Sequence, residues 1–95
     1  MIIIDKECGI RIPDEVLYNR ELTANSKLLY GEIARLCGDT ESCYATNRAL
    51  GNLLNVSGRA ITDMIRQLID NKYIVTVSVA NMQTNQSIRV ISLNK

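Results

Sequence analysis

The sequence predicts an α+β fold. A core of three helices, with a short helix ahead of them, is followed by a two-stranded β-hairpin, and the first residues suit a short N-terminal strand. Three observations lead there. Apolar residues recur at helical spacing in three blocks between Leu28 and Leu68, each block preceded by a serine or threonine suited to capping. The second and third blocks are separated by almost nothing, in the stretch Ala49-Leu-Gly-Asn-Leu-Leu-Asn-Val-Ser-Gly-Arg-Ala-Ile-Thr-Asp-Met-Ile-Arg-Gln-Leu68. From Tyr73 onward the period changes to two.

At 95 residues the chain makes one domain, residues 1–95, with a modest core that can fold alone. A hydrophobic fraction of 46% argues against disorder. No apolar run approaches the ~20 residues of a membrane helix. Met1-Ile-Ile-Ile4 runs at once into Asp5, Lys6 and Glu7, so it reads as a strand rather than a signal peptide. That strand is expected to join the sheet of the hairpin or of a neighbouring chain, giving a dimer or larger assembly. Gly9–Ile12 reads as extended. Pro13 suits a first helical turn and Asp14 and Glu15 the positive end of its dipole, so a short helix is expected over about Pro13–Asn19.

Thr23 caps the next helix, in which Leu28, Leu29, Ile33 and Leu36 are expected inside and Lys27, Glu32 and Arg35 outside, with Gly38 closing it. Asp39–Ser42 reads as a polar loop. Thr46 caps a helix over about Asn47–Leu54 with Leu50, Leu53 and Leu54 inward. Asn55 tolerates the left-handed conformation and ends it. Ser57 caps the following helix, whose Ile61, Met64, Ile65 and Leu68 face inward, and Asn71-Lys72 ends it. Tyr73, Val75, Val77 and Val79 alternate with Ile74, Thr76 and Ser78 as a half-buried strand. A polar loop, Asn81–Gln86, leads to a second strand in which Ile88 and Val90 alternate with Ser87 and Arg89, and which Ile91 and Leu93 extend.

This order is that of a winged helix-turn-helix, the hairpin being the wing. Gly51 supplies the small residue where the two helices cross, Asn55 the residue at positive φ, Val56 the apolar plug after the turn, and Ile61, Ile65 and Leu68 the inner face of the second helix. A plain helical corner without a ligand would satisfy the same window but not the hairpin that follows.

Charge is unevenly spread. Residues 1–45 hold five basic side chains against eight acidic ones, whereas residues 46–95 hold six against two. The half with the two-helix stretch therefore suits a polyanion, although its field is weak. The second helix exposes Ser57, Gly58, Arg59, Thr62, Asp63 and Arg66. Its unpaired amides suit a phosphate, Arg59 a guanine edge, Thr62 a thymine methyl or a phosphate, and Arg66 a backbone phosphate. Asp63 costs affinity unless it accepts from a cytosine or neutralises an arginine. Thr46, Asn47 and Arg48 start the preceding helix and suit a second phosphate contact, and Gln83, Asn85, Gln86 and Arg89 on the wing suit a flanking minor groove. For any one of these arginines a solvated surface charge is an equally good reading.

Other chemistries find little support. The chain has no histidine, no Gly-rich phosphate loop, no paired acid motif and no activated serine or cysteine. No cofactor or metal is expected. Cys8, Cys37 and Cys43 are odd in number and widely spaced, which favours reduced, partly buried thiols over a disulfide framework, with a Cys37–Cys43 pair as the alternative. Tyr18, Tyr30, Tyr44 and Tyr73 are scattered and are expected to plug the edges of the core.

The segments Ile-Pro-Asp-Glu-Val-Leu (12–17), Leu22–Cys37 and Cys43–Ile74 resemble the winged-helix N-terminal domains of phage and plasmid replication initiators, the replisome-organiser, DnaD-like group of helix-turn-helix domains. The resemblance runs from about Ile12 to Ile91 and is most specific in Leu22–Tyr30 and Cys43–Asn47. Two features depart from the group: Asn55 stands at the usual turn glycine, and the second helix carries little charge. The resemblance implies origin binding or replisome organisation, double-stranded DNA as ligand, contact with a helicase loader or other replication proteins, and residence in a bacterial or phage-infected host cytoplasm. A winged helix used for protein contacts or oligomerisation, and a small transcriptional repressor, are the alternatives.

Overall fold

The computed structural model describes residues 10–40 and 42–94. The expected strand at Ile2–Ile4 and Cys8 lie outside them. The elements run α1 (Asp14–Leu17), α2 (Ala24–Cys37), a 3-10 turn (Gly38–Thr40), β1 (Ser42–Cys43), α3 (Asn47–Leu54), α4 (Gly58–Asp70), β2 (Ile74–Asn81) and β3 (Gln86–Leu93). None of these helices is long and apolar enough to cross a membrane.

Capping chemistry sets the helix starts. Thr23, Thr46 and Ser57 each sit in extended backbone, and their hydroxyls accept from the amides of Ser26, Ala49 and Ala60. Pro13 stands one place earlier than expected, at the N-cap of α1, and its carbonyl accepts from Val16 and Leu17. That helix is one turn long; Asn19 follows it as a polar junction, donating to the Tyr73 hydroxyl at 2.9 Å and accepting from the Glu21 amide at 2.8 Å. The Tyr73 hydroxyl in turn donates to the Glu15 carbonyl. Ser26 is fully buried because it reaches α4: its hydroxyl donates to Gln67 Oε1 at 2.8 Å, an atom that also accepts from the Thr23 amide.

The helix ends are as informative. Gly38 closes α2 at φ 53°. Asn55 closes α3 at φ 58° and ψ 47°, as its tolerance of left-handed backbone predicts. Behind α4, Lys72 adopts φ 66°, its amide bonds the Ile69 carbonyl and that of Tyr73 bonds Leu68, a Schellman motif built without glycine.

Two expected inner faces are met in part: Leu29, Ile33 and Leu50 are buried as expected. In α2 the buried set is Ser26, Leu29, Tyr30, Ile33 and Cys37, with Glu32 also covered and bonded by Arg35, while Leu28 and Leu36 are exposed. The helix is apolar on most of its circumference, so the side facing β1, β3 and α4 decides. Leu53 of α3 is likewise exposed, and Leu54 partly buried. Tyr18 and Tyr44 stand in solvent, and only Tyr30 and Tyr73 serve the core, edge to face at 5.9 Å. Cys37 and Cys43 are buried as separate thiols, with no disulfide between them.

The sheet has three strands in the order β1-β3-β2, one more than the hairpin expected. Ser42, read as the end of the polar loop, and Cys43 pair with Ser92 and Ile91. The β2–β3 register is continuous from Ile74↔Leu93 to Asn81↔Gln86. Ile74, Ile91 and Cys43 meet the helices, and the body closes around them with Val16, Leu22, Leu29, Ile33, Leu50, Ile61, Met64, Ile65 and Leu68. The valines of β2 face outward: Val75, Val77 and Val79 are exposed, so the strand is covered only where it leaves α4. Asn85, at φ 60°, makes the turn between the strands where glycine is absent.

The α3–α4 crossing is tight. A Cβ on Gly51 would lie 2.6 Å from the Val56 carbonyl oxygen, a backbone atom that cannot swing away. Gly51→Ala is therefore expected to destabilise by about 1–3 kcal/mol. Asn55→Gly is expected to be neutral or stabilising, and Asn55→Val to cost about 1–2 kcal/mol. Thermal unfolding of the three variants checks this; equal midpoints for the two Asn55 variants would contradict the turn geometry.

Candidate nucleic-acid interface

The inner face of α4 is fixed by Ile61, Met64, Ile65 and Leu68, all buried. With ~3.6 residues per turn, Arg59, Asp63, Arg66 and Asp70 then project to the opposite side, and all four are exposed. The expected pair of arginines does share a face, two turns apart. So do two aspartates, and the outer face of α4 is neutral. The one ion pair among the described residues is Arg35–Glu32, far along α2, so the four α4 charges are not held against each other. A shallow groove of about 350 Å³ runs along the helix beside Thr62, Ile65, Arg66, Ile69 and Asp70. Charge reaches it only from Arg66 and Asp70, with opposite signs.

Around the start of α4 the donors are of two kinds. Ser57 spends its hydroxyl oxygen on the Ala60 amide, leaving the Gly58 and Arg59 amides without an intrahelical partner. Open space lies where a Gly58 Cβ would be. Thr46 does the same for α3 through Ala49, and Arg48 is exposed one residue into that helix.

Asn47, Thr62 and Arg89 are joined by hydrogen bonds, Asn47 and Arg89 partly buried and Thr62 exposed. The Thr62 hydroxyl donates to the Gly58 carbonyl at 3.1 Å and accepts from Asn47 Nδ2 at 3.0 Å. Asn47 Oδ1 accepts from Arg89 Nη1, and Arg89 Nη2 donates to the Ala45 carbonyl at 2.8 Å. Arg89 lies in β3 opposite Ser78, on the same side of the sheet as the buried Ile91, which is why it reaches α3 and not outward along the wing. Burial lowers its pKa from the ordinary arginine value, opposed by the neighbouring Cys43. Its Nε is buried with no partner among the described residues. Of the wing residues, Gln83 and Asn85 lie exposed in the turn and Gln86 at the first position of β3, exposed as well.

Sequence reasoning set Arg89 on the wing toward a flanking minor groove, alternating with Ile88 and Val90, whereas it turns toward α3. It missed Ala45 altogether, whose contribution is a carbonyl and carries no side-chain signal. It also left out Asp70, which completes the alternation Arg59, Asp63, Arg66, Asp70 and could have been found from its spacing alone.

The Arg89–Asn47 contact ties the wing to the helix-turn-helix. Arg89→Ala is expected to cost about 1–2 kcal/mol of stability, and the pair Arg89→Ala with Asn47→Ala to show a coupling of about 0.5–2 kcal/mol. Chemical denaturation of the two single variants and the double variant measures it; strictly additive losses would show that the bond carries no energy.

A family model described as a helix-turn-helix domain matches residues 20–74. The match spans α2, β1, α3 and α4 and stops at the first residue of β2, so the wing lies beyond it. Comparison with curated proteins and with solved structures finds no significant match. The matched stretch is more than half of the chain and contains the Gly51–Asn55–Val56 turn with both of its helices: the protein belongs to the helix-turn-helix domain family.

Proposed function

We propose that the protein binds double-stranded DNA sequence-specifically, with α4 in the major groove, in replication initiation of a phage or plasmid. The observation that carries the DNA reading is the outer face of α4, where Arg59 and Arg66 stand exposed and unengaged two turns apart on the second helix of a helix-turn-helix. In this reading Arg59, nearest the helix start, meets a guanine edge, and Arg66 meets phosphate. Arg48 and the free amides of Gly58 and Arg59 take further phosphates, and Thr46 and Ser57 order those helix starts. Asn47, Thr62 and Arg89 hold the two helix starts in place rather than competing for DNA. Gln83, Asn85 and Gln86 reach a flanking minor groove.

The replication role rests on the resemblance of Leu22–Tyr30 and Cys43–Asn47 to the initiator group. It brings with it origin binding, contact with a helicase loader or other replication proteins, and action in the cytoplasm of a bacterial or phage-infected cell. A second reading, a module that contacts protein, is favoured by the neutral face of α4, where two aspartates accompany the two arginines. Salt separates the two, since binding through phosphates weakens steeply as counterions are released less favourably.

With so few basic groups, one copy should bind at micromolar Kd or weaker at physiological salt, so tight occupancy requires several copies on adjacent sites. Arg59→Ala is expected to cost about 1–3 kcal/mol on a site selected from a random pool and less on random duplex. Arg66→Ala should weaken both about equally and reduce the salt slope by roughly one. Fluorescence anisotropy at several salt concentrations reads these changes. Absence of binding to any duplex at low salt, or indifference to both substitutions, overturns the DNA reading in favour of protein contact.

A further inference from the structure

The wing sheet ends in a strand that lacks the usual guards of a sheet edge. In the order β1-β3-β2, β2 is outermost, and among the described residues nothing pairs with its outer side. Edge strands in soluble proteins are ordinarily protected by a lysine, a proline, a bulge or shortness. β2 is eight residues long, Ile-Val-Thr-Val-Ser-Val-Ala-Asn, with no charge and no proline, and its register with β3 is unbroken by a bulge.

Its outer face is apolar as well. Partners across an antiparallel pair point to the same side, so Val77 with Val90 and Val79 with Ile88 form one surface with Val75. Val75, Val77, Val79 and Ile88 are 44%, 55%, 53% and 43% exposed. Among the described residues of the three strands no ionisable side chain lies on that face: its remaining members are Ser42, Ser92 and Gln86.

We infer that β2 is a self-association edge, which pairs antiparallel with β2 of a second copy about a two-fold axis at Val77. The sequence of the strand is the argument for a second copy as occupant. Antiparallel pairing centred on Val77 sets Val77 against Val77 and Val75 against Val79 of the other chain, so all three valines of each strand meet valines and Thr76 of each meets Ser78 of the other. A shift of one residue would set the valine face against the polar face. Two copies meet with no charge buried and none repelled. Stacking of the two apolar faces would cover the valines but leave the unguarded backbone edge open; edge pairing uses both features. The contact is isologous, as a two-fold requires. It joins two three-stranded sheets into one of six strands.

The interface is small beside the ~800 Å² per partner of a stable complex, so the dimer is weak and concentration-dependent in solution. It supplies the second copy that the proposed DNA binding calls for, but it is measured without DNA, so its failure and the failure of the DNA reading are separate results.

The test is sedimentation velocity on the full chain over a wide concentration range, with crosslinking. Wild type should shift from monomer toward dimer as concentration rises, and Val77→Lys should remain monomeric with an unchanged circular dichroism spectrum. In a Cys8→Ser background, Val77→Cys should form a covalent dimer rapidly on mild oxidation. Ser78→Cys, on the other face and out of register with its own copy, should do so at least tenfold more slowly. A wild type that stays monomeric at every concentration overturns the inference. So does a dimer that survives Val77→Lys, and if removing Met1–Ile4 abolishes that dimer, the N-terminal segment is the contact instead. Equal crosslinking of the two cysteine variants overturns the register.

Discussion

The position of α4 and of the side chains on its outer face follows from the approach of two backbones at Gly51. The Val56 carbonyl oxygen occupies the space a side chain would need there, 2.6 Å from where the Cβ would be. It can do so because Asn55 takes the left-handed conformation, and the amides of both Asn55 and Val56 then reach the Gly51 carbonyl. Gly51 thus gives the turn its room and its acceptor. The chain leaves it in extended backbone at Ser57, a cap forms at once, and α4 starts in a fixed direction. Once Ile61, Met64, Ile65 and Leu68 are buried, the outer face of α4 has no freedom left.

The second constraint joins the wing to that unit. The wing is not part of the matched helix-turn-helix stretch, and most of β2 touches no helix. What binds it, beside the burial of Ile74 and Ile91 in the core, is a short chain of polar contacts through Arg89, Asn47 and Thr62, and at its base the Tyr73 hydroxyl, which links Asn19 and the Glu15 carbonyl. A guanidinium taken partly out of water is costly unless its donors are met. Two of the Arg89 nitrogens are met, by a carbonyl and an amide oxygen held at the start of α3. The hairpin is therefore anchored at its base and along one face, while its tip and its outer edge stay in solvent.

The parts legible in the sequence are those decided locally. Thr23, Thr46 and Ser57 cap where their side chains allow, and Asn55 turns where its own backbone preference allows, so the helix starts and the turn were readable. What was not readable depends on which side another element lies. In α2, Leu28, Leu29, Tyr30, Ile33, Leu36 and Cys37 leave several faces apolar, and the sheet and α4 select Leu29, Tyr30, Ile33 and Cys37. In β3 the apolar stripe changes parity, with Ile88 and Val90 on one face and Ile91 and Leu93 shifted by one residue. Alternation gives the period but not the covered side. The helices cover the Ile91 side, which turns Arg89 inward and leaves the valines of β2 outside. The two-residue strand β1 is too short to carry any pattern at all. For the candidate site, Arg59 and Arg66 were readable because one helix face is set by its opposite; the fate of Asn47, Thr62 and Arg89 needed three elements at once.

The alternation Arg59, Asp63, Arg66, Asp70 separates two things that are commonly run together in DNA recognition. Beyond a Debye length of ~8 Å at physiological salt, two positive and two negative charges on one face leave no appreciable field, so α4 by itself does not steer a polyanion from a distance. At contact the charges act singly. A guanidinium against a guanine edge gains two directed bonds, and an aspartate beside the wrong base or a phosphate loses affinity. On the proposed reading, such a face lowers unspecific binding more than specific binding and raises the ratio between them. In the proposed reading, the strength that the helix gives up comes from several copies on adjacent sites. A contact between copies on a different element, if it forms as the uncharged edge of β2 suggests, supplies it without adding charge, and by linkage each copy bound to DNA would strengthen the contact by the same factor that the contact strengthens binding.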